Sequence, residues 1–94
     1  MNFEKVNELL AQTYWANKRD DEKIRKSMEN SLCYGAFNEG NEQIGFARVI
    51  TDFATTYYIC DVIVDEKYRG IGVGKALIKL ITSDSRLQDM LGML

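Results

Sequence analysis

The chain has 94 residues, of which 46% are hydrophobic and 28% charged, and its formal net charge is −2 at pH 7. These values are typical of a soluble globular protein, so we predict one domain over residues 1–94. Because the sequence contains no histidine, it excludes Ser/His/Asp and Cys/His catalysis and the commonest zinc ligands. The acidic balance argues against binding to nucleic acid. Without a membrane-length apolar run or a secretory signal, we expect a cytoplasmic protein with no membrane contact.

The first half of the chain predicts two helices followed by a β-hairpin. Apolar residues recur at helical spacing over residues 3–15. The same spacing recurs in a second helix, which Asp20 or Asp21 can cap and which ends where Asn30 and Ser31 break the pattern. Residues 32–38 and 42–51 have the alternating pattern of strands, and they flank the turn-forming residues 39–41. Two antiparallel strands are therefore expected directly after the helical segment.

The second half predicts a buried strand, a turn and a helix. Residues 56–64 are β-branched or aromatic on both alternating sets, as in a central strand covered on both faces, and Asp61 is the one charged residue among them. Residues 71–82 place apolar side chains on one helical face, and residues 84–94 repeat that spacing. We therefore predict an α/β protein of the α+β type, with an antiparallel or mixed sheet of about three strands flanked by three to four helices.

A glycine-rich turn joins the predicted strand to the predicted helix. Backbone N–H groups at the start of a helix receive anions, and glycines let a ligand come close to the backbone. Between Lys67 and Arg86 there are five basic residues and one acidic residue, a local excess of four positive charges. The turn is therefore a predicted site for phosphate or polyphosphate. Its residues are Arg69, Gly70, Ile71, Gly72, Val73, Gly74 and Lys75.

Two common phosphate-binding loops do not fit this turn. A Walker loop needs a glycine in place of Arg69 and a Ser or Thr in place of Ala76, and the dinucleotide fingerprint needs a glycine in place of Lys75. What fits is Arg-x-x-Gly-x-Gly after a strand that ends in Val-Asp-Glu-Lys-Tyr. That string resembles the acetyl-CoA signature of the GCN5-related N-acetyltransferase (GNAT) family, V-x-P-x-x-R-G-x-G-x-G. The resemblance also includes residues 13–19, 43–55 and 58–78.

The resemblance implies a fold, a cofactor and an activity. It implies a GNAT-like sheet that transfers an acetyl group from acetyl-CoA to the primary amine of an unidentified small molecule or peptide. The turn at residues 69–75 would hold the pyrophosphate of coenzyme A, and the backbone of Val62, Ile63 and Val64 would hydrogen-bond its pantetheine arm. Family members usually continue, after the coenzyme helix, into a fifth strand, another helix and a hairpin. The chain therefore resembles a truncated member that lacks the usual C-terminal part.

Four side chains are candidates for the chemistry and for acceptor binding. Asp61 is an acid inside an apolar strand, so burial would raise its pKa toward that of a general base; a structural hydrogen bond to a neighbouring element is the alternative. Tyr14 and Trp15 close the first predicted helix, and would either form an aromatic wall of the acceptor pocket or pack in the core. Arg48 lies on an apolar strand face and needs a charged partner or a ligand there. No general acid is assigned.

The missing C-terminal part has two further implications. The alternative to an active enzyme is a catalytically silent relative that binds only coenzyme A or a partner chain. The strand at residues 57–64 would have an open edge where the family places its fifth strand, and the apolar stripe of the tail would add exposed surface. We therefore expect a homodimer that covers this edge or this stripe.

Overall fold

The computed structural model describes residues 1–13, 15 and 17–93. This part of the chain forms three α-helices, which are Phe3–Ala11 (α1), Asp21–Glu29 (α2) and Val73–Thr82 (α3). It also forms four strands, which are Leu32–Phe37 (β1), Gln43–Thr51 (β2), Thr56–Val64 (β3) and Leu91–Met93 (β4). The predicted α+β class and the first three strands are confirmed, whereas the sequence pattern does not predict the fourth strand.

The four strands form one mixed sheet in the order β1-β2-β3-β4. β1, β2 and β3 are antiparallel to one another in turn, which confirms the hairpin, and β4 is parallel to β3. The helices α1 and α2 pack on one face of the sheet, around Phe46 and Ile63, and α3 packs on the other, around Ala47 and Val49. Consequently β2, and not β3 as predicted, is the strand that is buried on both faces.

α1 ends earlier than its apolar pattern predicts. Asn2 caps its start by accepting from the backbone N–H of Glu4 at 2.7 Å, but the helix ends at Ala11. The Thr13 hydroxyl donates to the carbonyl of Leu10 at 2.8 Å, a local hydrogen bond that competes with further helical turns. The chain after α1 therefore leaves the helix and reaches the edge of a cleft described below.

The tail does not form the predicted helix over residues 84–94. Asp84 caps a single 3-10 turn, Ser85–Leu87, and accepts from the Tyr34 hydroxyl at 2.7 Å, which anchors this turn to β1. Asp89 has a φ of 65°, a left-handed conformation that stops a helix. The apolar residues of the tail therefore belong to a turn and a strand.

β4 closes part of the β3 edge that the sequence predicts to be open. Residues 91–93 pair with residues 56–58, and in the described part of the chain the pairing stops there. The prediction of a fully open edge is wrong for this end of β3, because the tail returns as a strand. The other end, residues 59–64, has no strand beside it on that edge in the described structure.

The described residues form neither a membrane-spanning helix nor a metal-binding cluster. No helix there is long and apolar enough to cross a membrane. No group of three or more His, Cys, Asp or Glu side chains is placed to hold a metal ion in residues 1–13, 15 and 17–93. Cys33 and Cys60 are free thiols, each half-buried, and burial raises the pKa of both.

Candidate active site

A β-bulge in β3 determines which way its acid points. Arg48 pairs with Asp61, but the next residue of β2, Val49, pairs with Ile59, so Cys60 is an extra residue in β3. Because side chains alternate along a strand, the extra residue turns Asp61 to the face that carries α1 and α2, opposite Ile59. The bulge therefore places a carboxylate beside the segment that links the first two helices.

Asp61 is almost fully buried, at 2% exposed, and receives donors from three sides. The Nε of Arg48 lies 2.9 Å from its Oδ2. The Nη1 of Arg19 lies 3.1 Å from the same oxygen. The indole Nε1 of Trp15 donates to Oδ1 at 3.2 Å. Two strands and the link between the first two helices thus meet at one carboxylate.

The donors around Asp61 keep it ionised. Burial alone raises the pKa of this carboxyl, but hydrogen bonds from Arg48 and Arg19, together with their charges, outweigh burial and lower the pKa below its ordinary value. The expected rise in pKa is therefore wrong, because the sequence did not reveal the two guanidinium partners. The geometry supports the alternative role, in which Asp61 joins neighbouring elements.

A cavity of about 420 Å³ lies between the end of α1, the C-terminal half of β3 and the start of α3. We name it the coenzyme cleft because it is lined by residues that the resemblance implies would hold coenzyme A. Trp15 forms one wall and is half-exposed. The opposite wall is the part of β3 that β4 does not cover, so its outer N–H and C=O groups lie beside the cleft. The residues that line it are Gln12, Thr13, Trp15, Val62, Ile63, Val64, Arg69 and Gly74.

The glycine turn joins β3 to α3 and contributes Arg69 and Gly74 to the lining of the coenzyme cleft. Gly70 and Gly72 have φ values of 84° and 91°, and a Cβ atom at either would point into open space. Gly72 is the N-cap of α3 and provides no side-chain cap, so the first N–H groups of this ten-residue helix are available to an anion. The Nε of Arg69 donates to the Val64 carbonyl at 3.1 Å, which ties the turn to the strand.

The structure brings together most of the residues that the sequence selected. Val62, Ile63, Val64, Arg69 and Gly74 line the coenzyme cleft. The other turn residues are adjacent in sequence but do not line the cleft, and Ile71 is 70% exposed; they are Gly70, Ile71, Gly72, Val73 and Lys75.

The acceptor candidates lie in different places. Trp15 lines the coenzyme cleft. Arg48 is the cross-strand neighbour of Asp61 on β2 and forms an ion pair with it. Tyr14 is outside the described residues. Sequence reasoning missed Arg19, which is 42 positions from its partner. The sequence feature that could have indicated a partner such as Arg19 was Asp61, because a buried carboxylate needs a cation beside it.

The chain is similar to known proteins both in sequence and in structure. The family model described as "Acetyltransferase (GNAT) family" matches residues 3–92. Histone acetyltransferase TAP1 from Glycine max is 38% identical over 73 residues, which cover 66% of this chain and 32% of the soybean protein. Serotonin N-acetyltransferase 2, chloroplastic, from Oryza sativa subsp. japonica is 27% identical over 85 residues, covering 86% and 42% respectively. The chain therefore spans less than half the length of either relative.

Solved structures have the same fold. A protein from Xanthomonas campestris pv. campestris, described as an acetyltransferase of the GNAT family, superposes with a TM-score of 0.89 at 34% identity, over 100% of this chain and 66% of its own. An aminoglycoside 6'-N-acetyltransferase in complex with coenzyme A gives a TM-score of 0.72 at 19% identity. This superposition covers 85% of our chain and 46% of the aminoglycoside acetyltransferase. At that identity the second likeness concerns the fold alone.

The buried carboxylate makes a testable contribution to stability. Asp61→Asn keeps the side-chain shape but leaves Arg19 and Arg48 without their shared anion, so we expect the free energy of unfolding to fall by about 3–5 kcal/mol at pH 7. Because the folded pKa of Asp61 is lowered, the ion pairs stabilise the fold above the unfolded-state pKa of about 4 and lose their effect as pH falls through the folded pKa. Urea unfolding at pH 7 and pH 3 measures both effects. The difference in the free energy of unfolding between the parent and Asp61→Asn should be smaller at pH 3 than at pH 7.

The exposed Asp89 provides the matched control, since its left-handed φ also suits asparagine. We expect Asp89→Asn to change the free energy of unfolding by less than about 0.5 kcal/mol. Equal stability of Asp61→Asn and the parent at pH 7 would contradict the assigned role of the network.

Proposed function

The chain belongs to the GNAT acetyltransferase family, and on that premise we propose that it binds acetyl-CoA in the coenzyme cleft and transfers the acetyl group to an acceptor amine. The observation that carries this proposal is the side-by-side placement of an uncapped helix N-terminus and an uncovered strand edge. The first suits a diphosphate, and the second suits the amide groups of a pantetheine arm. Few other ligands need both within one cleft.

The residues present fit the diphosphate part of the cofactor. Gly70 and Gly72 leave open space above the backbone, so phosphate oxygens can approach the N–H groups that begin α3. Arg69 and Lys75 add positive charge at the two ends of the turn. Arg69 donates through Nε to the Val64 carbonyl, and its guanidinium carries four further N–H donors on the Nη nitrogens.

The cleft's own contribution to the chemistry is positioning. When bound, acetyl-CoA supplies an activated acetyl thioester. Backbone N–H groups of Val62 and Val64, which face the uncovered edge, would donate to the carbonyl oxygen on which negative charge develops, and fixed donors of this kind are an effective form of catalysis. Trp15 and the apolar side chains of this strand segment would limit water around the reacting atoms.

A matched pair of substitutions at Gly72 tests the coenzyme site. Gly72→Asn and Gly72→Asp have nearly the same shape, and both residue types tolerate a positive φ, but only the aspartate places a negative charge at the predicted phosphate position. We expect the aspartate variant to bind acetyl-CoA at least about tenfold more weakly than the asparagine variant in calorimetric titration. Equal affinities of the two variants would place the phosphates elsewhere, and absence of binding by the parent at millimolar acetyl-CoA would end the proposal.

One observation favours a second candidate function, a catalytically silent protein that binds coenzyme A or a partner chain. Among the described residues that line the coenzyme cleft, none is an acid, a tyrosine or a cysteine that could transfer a proton. A thiol-release assay with acetyl-CoA and a panel of amines separates the two functions. An enzyme gives release that depends on the amine, whereas a silent binder gives acetyl-CoA binding by calorimetry with no such release.

We also propose that the chain forms a homodimer through an apolar row on the sheet face that carries α1 and α2. Ile50 pairs with Tyr58, and Tyr58 pairs with Met93, so the three side chains are neighbours across three strands. Each is exposed by nearly half, at 49%, 47% and 46%. A second copy is the partner that such a self-complementary row fits most simply.

Light scattering behind a sizing column tests the homodimer. We expect the mass to rise with concentration above 10.8 kDa for the parent, and Tyr58→Glu to stay monomeric because a buried, unpaired carboxylate would oppose association. The control is Leu80→Glu, at an equally exposed position on α3, which should associate like the parent. A constant monomer mass for the parent from micromolar to hundreds of micromolar would overturn this proposal.

A further inference from the structure

A second cleft, which we name the cationic cleft, lies between α2 and β2. Its volume is about 400 Å³, and all of the described residues that line it are polar or charged except Ile50. Three of the lining residues are cations, and none of the described lining residues is an acid. They are Lys23, Lys26, Ser27, Asn30, Ser31, Arg48 and Ile50.

Arg48 is the fixed cation of this cleft. Its side chain is 13% exposed, its Nε donates to Asp61 at 2.9 Å, and its Nη1 donates to the Ser31 hydroxyl at 3.2 Å. Neither of these bonds uses Nη2, and in the described part of the chain no third bond is made by this guanidinium. A donor held in place before a ligand arrives loses little conformational freedom on binding.

The cations in and beside the cationic cleft outnumber the carboxylates that pair with them. Asp61 is a single carboxylate shared by Arg19 and Arg48, so one positive charge of that group is uncompensated. Lys23 and Lys26 lie one turn apart on α2, and neither forms an ion pair within the described residues. Lysines on a helix are often simply solvated, but here both line a concave surface with a fixed guanidinium.

The two clefts meet at Asp61. Trp15 lines the coenzyme cleft and Arg48 lines the cationic cleft, and both donate to the same carboxylate. The two walls are therefore separated by a single hydrogen-bonded side chain. The two clefts therefore lie on either side of one buried carboxylate.

We propose that the cationic cleft binds an anionic group, a carboxylate or a phosphate, of the acceptor whose amine is acetylated beside the coenzyme cleft. This inference rests on the proposed function and specifies the acceptor class. Lys23 and Lys26 would attract the anion, and Nη2 of Arg48 would donate to it directly. The same charges would repel acceptors that carry several positive charges and no anion.

The test uses three compounds with the same primary amine: β-alanine, O-phosphoethanolamine and ethanolamine. Each is titrated at low salt into the isotope-labelled full chain, and binding is followed by the NMR shifts of Ser27, Asn30 and Ser31. We expect saturable shifts with the two anionic compounds, at least about tenfold tighter than any with ethanolamine. The tighter of the two anionic compounds identifies carboxylate or phosphate as the preferred group.

Charge removal tests whether the cleft itself is responsible. Lys23→Gln with Lys26→Gln should weaken both anionic compounds about tenfold, and both residues are exposed, so the fold should tolerate the change. The control removes two lysines from the other helices, Lys5→Gln with Lys79→Gln, and should bind the anionic compounds like the parent. No saturable shifts, equal affinity for ethanolamine, or equal weakening by both double variants would each overturn the inference.

Acetyl-CoA titrated into the same samples distinguishes a failure of this inference from a failure of the proposed function. Its binding is read from Ile63, Val64 and Gly74 in the coenzyme cleft, which the lysine substitutions do not touch. If acetyl-CoA binds while the anionic compounds do not, the inference fails and the proposed function stands. If acetyl-CoA does not bind, the proposed function fails, and the acceptor assignment that rests on it fails too.

Discussion

The carboxylate of Asp61 is the point at which separate parts of the chain are held together. A buried ion is costly unless it is paired, so the position of this residue requires Arg48 from β2 and Arg19 from the link between α1 and α2. Trp15 donates to the same carboxylate, and its indole then forms a wall of the coenzyme cleft. The shape of that cleft therefore depends on an interaction that need not touch the coenzyme.

Two irregularities of the backbone make this arrangement possible. The extra residue Cys60 turns Asp61 to the face on which its partners lie, and without it the alternation of β3 would point this acid at α3. At the other end of the strand, the left-handed glycines let the chain turn sharply into α3 and leave its first N–H groups uncapped. The bulge thus directs side chains, and the turn directs backbone groups, toward the same region.

The structural features that depend only on neighbouring residues could be predicted from the sequence. Asp20 caps α2 as expected, since a cap depends on the next three residues only, and the glycine turn was recognised because its residues are contiguous. The GNAT assignment from that turn is confirmed by the family match over residues 3–92. The helical spacing of the tail was misleading, because a few apolar residues fit a turn and a strand equally well once Asp89 adopts a positive φ.

Contacts between residues that are far apart in the sequence could not be predicted from it. Nothing near Arg19 indicates that it meets a residue 42 positions away, and the extra residue in β3 leaves no mark on the alternation of its apolar side chains. The prediction that Asp61 would have a raised pKa followed from burial alone, and the sign changed once two cations were added. The lesson is that an isolated acid in an apolar strand predicts a partner more securely than it predicts a base.

The short parallel pairing of β4 has a consequence for how the molecule moves. Strands β1 to β3 are joined by tight connections and can form early, whereas β4 reaches β3 only after the chain has passed through α3, and it then pairs over three residues. Over the described residues this pairing contains few hydrogen bonds, so it should open more often than the pairing among β1, β2 and β3. Because β4 lies beside residues 56–58 and the described structure leaves residues 59–64 uncovered, a shift of β4 would change the width of the gap along β3 without moving the three antiparallel strands.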